Sequence, residues 1–162
     1  MPDPILTPDE VLSRYWERGK LPIDLKVIAK KAGIKLEEKN RDALGDVSGW
    51  YRPASNGQPA TIEVNVSEPA NRIRFTLAHE LGHHFLGHEA SPRDTTKQFN
   101  IYNWDPIEVA ANKYAAQLLM PASYVRAAVI NRSMTSLNAL AKAFGVSTVA
   151  MKIRLQELGY IS

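Results

Sequence analysis

Two histidines four residues apart, His79 and His83, lie within a stretch whose apolar residues recur at helical spacing. Ile73, Leu77, Leu81 and Phe85, flanked by Phe75, Ala78 and Leu86, form one broad face, which predicts a helix from about Pro69 to a stop at Gly87. Residues four apart sit one turn above each other on a helix, so the two imidazoles can reach a single zinc ion. Glu80, between them, would then lie beside the open coordination position as a general base. With 4 His and 17 acidic residues, 10 of them Glu, the arrangement H-E-x-x-H arises in about 0.6% of shuffled chains of this composition. Chance is therefore a poor account of it, above all inside a helix that Leu77, Leu81 and Phe85 can pack.

Such a helix needs a core to sit against, and 162 residues with 44% hydrophobic content are enough for one domain. The chain has no cysteine, which excludes a disulfide scaffold, a thiol nucleophile and any cysteine-ligated metal. Its net charge of +3 is too small to imply nucleic-acid binding by itself. No apolar run approaches the roughly 20 residues needed to span a bilayer. The stretch MPDPILTPDE has neither a basic region nor an apolar signal core, so a cytoplasmic location is expected.

Ahead of the histidine helix, Thr7-Pro8-Asp9-Glu10 reads as a capping box opening a helix to about Arg18, and a second short helix should run from Leu21 towards Lys31. Ile34–Glu38, Val47–Arg52 and Thr61–Val66 read as strands, with residues 40–46 a polar loop between the first two. Thr61–Val66 is expected to be an exposed edge to which an extended peptide could add. After a long loop over residues 88–104, Asp105-Pro106 opens an alanine-rich helix to Leu119 or Met120, and shorter helices follow at about 122–131, 136–144 and 147–158.

A catalytic zinc usually takes a third protein ligand. The spacing H-E-x-x-H-x-x-G-x-x-H would need Gly at 86 and His at 89, where this chain has Leu86 and Glu89; His88 is out of register but remains a candidate. Glu108 is favoured, because Asn112 lies one turn further on the same face and could hold a ligand imidazole from behind. The bland alternative is that Glu108 merely completes an acidic cap with Asp105. His84 points about 100° round the helix from His83, which suits a surface or supporting histidine rather than a ligand.

The stretch Arg74-Phe75-Thr76-Leu77-Ala78-His79-Glu80-Leu81-Gly82-His83-His84-Phe85-Leu86 closely resembles the active helix of ImmA/IrrE-type metallo-endopeptidases. Glu108-Val109-Ala110-Ala111-Asn112-Lys113-Tyr114-Ala115-Ala116-Gln117-Leu118-Leu119-Met120-Pro121 is similar to that family's E-x-E-A-N-x-F-A-A-x-L-L-M-P pattern, departing at Ala110 and Tyr114. Leu21-Pro22-Ile23 and Ser48-Gly49-Trp50-Tyr51 resemble its earlier segments. The resemblance implies a gluzincin-like α+β domain: a small antiparallel sheet packed on the H-E-x-x-H helix, over about residues 1–121, followed by C-terminal helices over 122–162. It also implies a protease that cuts a helix-turn-helix repressor, or a toxin paired with a helix-turn-helix antitoxin.

The expected reaction is peptide-bond hydrolysis, with zinc on His79, His83 and Glu108, Glu80 as the base and Asn112 in support. Tyr51, Arg52 and Tyr114 are candidates for stabilising the oxyanion. Two other classes of function stay open. Leu140–Met151 resembles a helix-turn-helix with Lys152 and Arg154 placed to meet phosphates, which would make the chain a DNA binder. A toxin or antirepressor that keeps a structural metal and acts by binding alone is the other, although such a module has no use for Glu80.

Overall fold

The computed structural model describes residues 5–90 and 105–162, so most of the expected loop over 88–104 lies outside the described residues. The elements run α1 (Pro8–Tyr15), α2 (Leu25–Lys31), β1 (Lys35–Lys39), the single-turn α3 (Arg41–Leu44), β2 (Gly49–Arg52), β3 (Thr61–Asn65), α4 (Ala70–Phe85), α5 (Pro106–Leu119), α6 (Ala122–Arg126), α7 (Leu137–Phe144) and α8 (Thr148–Glu157). A short π-helical stretch, Ala127–Asn131, continues α6. The fold is α+β, a small sheet with helices packed on it.

Local chemistry explains most boundaries. Thr7 and Glu10 form the reciprocal capping box that starts α1. Asp24 caps α2, Asp105 accepts from the Ile107 amide to start α5, and Ser136 and Ser147 cap α7 and α8. Within the stretch expected to be a loop over 40–46, Asn40 accepts from the Asp42 amide and nucleates α3, so that expectation is corrected by one helical turn.

The sheet departs from expectation in two ways. It is mixed rather than wholly antiparallel, in the order β1-β3-β2: β1 pairs parallel to β3 with Lys35 opposite Thr61, and β2 pairs antiparallel to β3 with Gly49 opposite Val64. Thr61–Asn65 is therefore the central strand, and the expected exposed edge does not exist there; all five residues are buried. Alternation misled because the polar face of β3 is covered. Glu63 pairs with Lys39 of β1, and the Asn65 amide donates to the Gly45 and Val47 carbonyls at 3.2 and 3.1 Å. The opposite face, Ile62 and Val64, is fully buried with Leu77, Ala78 and Leu81 of α4 in the core.

That core continues without a break from α1 and α2 into α5 and the C-terminal helices, through Leu118, Leu119, Phe144 and Met151. No helix among the described residues is long and apolar enough to cross a membrane. In the C-terminal pair, Gly145 takes the left-handed conformation that ends α7. Arg154 is not available to phosphates: it is buried and donates to the Met120 carbonyl at 3.0 Å, with Glu157 at 3.4 Å.

Candidate metal centre

Helix α4 is gripped from two sides by backbone, and glycine makes both contacts possible. A Cβ on Gly49 of β2 would lie 2.5 Å from Thr76 Cγ2 and 3.1 Å from Glu80 Oε1. A Cβ on Gly82 would lie 3.1 Å from Tyr114 Cβ and 3.2 Å from the Ala111 carbonyl of α5. The strand and the second helix therefore close directly on the segment that carries His79, Glu80 and His83, all three with no exposed surface.

The close approach of α5 brings Glu108 inward. Its Oε2 lies 2.9 Å from His79 Nε2 and its Oε1 lies 3.4 Å from His83 Nε2, while the two Nε2 atoms are 3.1 Å apart. The cap at the start of α5 is made by Asp105 alone, so Glu108 is not a capping residue. Asn112, one turn on, sits 2.8 Å from His79 Nδ1. An amide oxygen only accepts, so His79 Nδ1 carries the proton, and in the neutral ring Nε2 presents a lone pair towards Glu108.

Three electron-rich atoms thus converge in a sealed site, where lone pairs facing one another at such distances need a positive charge among them. His79, His83 and Glu108 form a buried group whose ligand atoms all lie within 4.8 Å of one another. Two imidazole nitrogens and one carboxylate oxygen match the donor set of a catalytic zinc, which keeps one position open. Burial pushes the Glu108 carboxyl up, but with no cation bound and the histidines protonated, their hydrogen bonds and charge more than offset this and hold it well below the usual carboxylate range, so Glu108 is the anion of the group.

The surroundings sort the remaining candidates. His88 is not in the ligand group; its Nδ1 lies 2.8 Å from His83 Nδ1, the nitrogen that faces away from Glu108. Burial, then repulsion from His83, lowers the His88 pKa. His84 is buried, which overturns its surface reading, and its Nδ1 lies 2.9 Å from the Tyr51 hydroxyl. The Tyr51 ring also stacks near His83, with centroids 6.4 Å apart. Tyr114 instead donates to the Leu6 carbonyl at 2.6 Å and tethers the N-terminal segment, and burial raises its pKa. Arg52 lies over the Trp50 ring and is 4.0 Å from Glu63.

Two of these functions were missed in the sequence. Gly49 stands out in the sequence only through the family resemblance, yet its missing side chain makes room for the Glu80 carboxylate. His88 was weighed as a ligand, although Gly87 followed by His88 carried the signal of a helix stop that folds the next side chain back.

Among curated proteins, no relative matches the sequence. The family description "IrrE N-terminal-like domain" matches residues 29–156, roughly four-fifths of the chain, from within α2 to the last turn of α8. That span includes the whole of the histidine–glutamate cluster, and the chain belongs to this metallopeptidase family of IrrE N-terminal-like domains.

Proposed function

We propose that the protein is a zinc-dependent endopeptidase that acts in the cytoplasm on one specific regulatory protein, a helix-turn-helix repressor or antitoxin. One observation carries the hydrolytic part: a buried glutamate, Glu80, follows His79 on the helix that supplies two of three converging donor atoms whose chemistry suits zinc. His79, His83 and Glu108 would hold the ion, and Asn112 would fix the His79 ring. When bound there, zinc supplies Lewis-acid polarisation of the scissile carbonyl and acidifies a water. Glu80 takes a proton from the attacking water and returns it to the leaving amine, as a base walled in by β2 and α4 can do. Of the three tyrosine and arginine candidates for the oxyanion, Tyr51 is the one whose ring adjoins His83.

Strand addition to β3 is closed by its two neighbours, so the substrate is not read there. The choice of a regulatory protein rests on the family resemblance alone. Zinc-loaded protein, incubated with helix-turn-helix regulators encoded beside it, is expected to cut one of them at a single bond. Glu80→Gln should lower that rate by about 10²–10⁴-fold with zinc per chain unchanged. Full cleavage by Glu80→Gln would sink the mechanism. Neutralisation of the partner by Glu80→Gln without any cut would instead favour the binding-only module.

A further inference from the structure

Each ligand histidine has a second ring nitrogen, and a metal site works only if that nitrogen fixes the ring's tautomer and angle. For His79 the partner is Asn112. For His83, His88 Nδ1 lies within hydrogen-bond distance of Nδ1, at 2.8 Å.

The backbone explains how His88 comes to be there. Helix α4 ends at Phe85 with Leu86 as its C-cap, Gly87 turns left-handed with φ +73°, and the His88 amide donates back to the His83 carbonyl at 2.9 Å. The Gly87 amide donates to the His84 carbonyl at 3.1 Å. This pair of bonds is a Schellman stop, in which the residue after the glycine is folded onto the last full turn. That turn begins at His83, so the stop lays one imidazole against the other, with ring centroids 5.1 Å apart.

We propose that His88 is a positioning residue that accepts the His83 Nδ1 proton and thereby presents His83 Nε2 to the metal. This rests on the metal-centre reading above. With a cation on His83 Nε2 and both rings neutral, the proton count allows one arrangement. Only one hydrogen fits between two Nδ1 atoms, and if His88 donated it, a neutral His83 would carry its own proton on Nε2, the atom that faces Glu108. With His83 as donor, His88 is neutral and protonated at Nε2, and His83 Nε2 is open to a cation. The two nitrogens of one imidazole point in nearly opposite directions, so a group bound at His83 Nδ1 backs the ligand rather than joining it.

The test uses the full chain with zinc alone as the probe. Zinc affinity is measured by chelator competition for wild type, His88→Gln and His88→Phe, with apo-protein unfolding curves alongside. Gln offers an amide oxygen that can accept from His83, whereas Phe keeps a ring and accepts nothing. His88→Phe is expected to bind zinc about 10–100-fold more weakly, and His88→Gln to recover most of that loss, with unfolding curves unchanged. Long-range ¹H–¹⁵N spectra of the zinc-loaded wild type should show His83 protonated at Nδ1. Affinity of His88→Phe within twofold of wild type, equal losses in both variants, or a His83 Nδ1 without its proton would each overturn the role. If wild type takes up no zinc at all, the metal-centre reading fails and this role fails with it. That outcome is distinct from a zinc-binding wild type with an indifferent His88.

Discussion

The two halves of α4 obey different rules. From Ala70 to Phe75 every residue keeps some exposure, and one long side chain, Arg74, reaches across to neighbouring elements. From Thr76 to Phe85 every residue is buried, although that half contains a glutamate, a glycine and three histidines. A helix buried on all sides is normally apolar all round. Buried polar groups on this scale persist only where each finds a partner or serves chemistry. The second half is therefore built for its site, and the first half is a strut that anchors it.

The sharpest way to break this contrast is to remove the anion that the second half faces. Glu108→Ala is expected to lower zinc from near one per chain to near zero after dialysis, because two neutral imidazoles four residues apart are a weak site alone. Elemental analysis beside wild type measures it. Retention of stoichiometric zinc would show that Glu108 is not a ligand.

The close approach of α5 comes next. At Gly82 even a methyl group would sit 3.1 Å from Tyr114 Cβ, so Gly82→Leu should overpack the α4–α5 contact by about 1–3 kcal/mol. It should also draw Glu108 away from the histidines. A urea titration together with zinc competition would register both effects. An unchanged midpoint would mean that the two helices have slack that the geometry denies.

How much of this was readable follows the same division. Helix α4 and its three chemical residues were legible because periodicity and a four-residue spacing are local. Asp105-Pro106 likewise announced α5. Glu108 and Asn112 were readable as candidates, but their meeting with His79 depends on packing across 29 and 33 residues of sequence. The sheet order was not legible. The alternation in Thr61–Val66 describes a strand with one polar face, and nothing local says that Lys39 and the Gly45–Val47 backbone will cover that face. For His84 the angle round the helix excludes it from the ligand group, but the choice between a surface and a supporting role was not legible, because β2, which supplies Tyr51, closes over that side.

The first half of α4 predicts effects on stability without effects on metal. Arg74 donates to the Ile23 carbonyl at 2.9 Å and to the Gly145 and Phe144 carbonyls at 3.1 and 3.2 Å, so one guanidinium ties α4 to the start of α2 and the end of α7. Its charge also lies at the C-terminus of α7, where a cation is favoured. Gly145 is fitted to it, since a Cβ there would lie 2.5 Å from Arg74 Nε. Arg74→Met keeps much of the bulk, loses all three bonds and should cost about 1–3 kcal/mol in denaturant unfolding. Zinc per chain should stay at the wild-type value. A fall in zinc would mean that the strut sets the ligand geometry.

The smallest expected effect has the opposite sign. The first turn of α4 contains no acidic residue, and its N-cap, Pro69, makes no side-chain cap. Pro69 has no N–H and the Ile73 amide already donates to the Pro69 carbonyl at 3.0 Å, so the amides ahead of Ile73 sit at the positive end of the helix without a compensating charge from that turn. Asn71 is exposed there, so Asn71→Glu should stabilise the protein by about 0.3–1 kcal/mol at low ionic strength. The gain should shrink towards zero in about 1 M salt, where screening acts over about 3 Å. Thermal melts of both proteins at the two salt concentrations measure it, and a gain that survives high salt would assign the effect to something other than the helix dipole. A carboxylate added to the first half of α4 thus strengthens the helix. The carboxylate already in its second half, Glu80, fits where it is because Gly49 leaves it room.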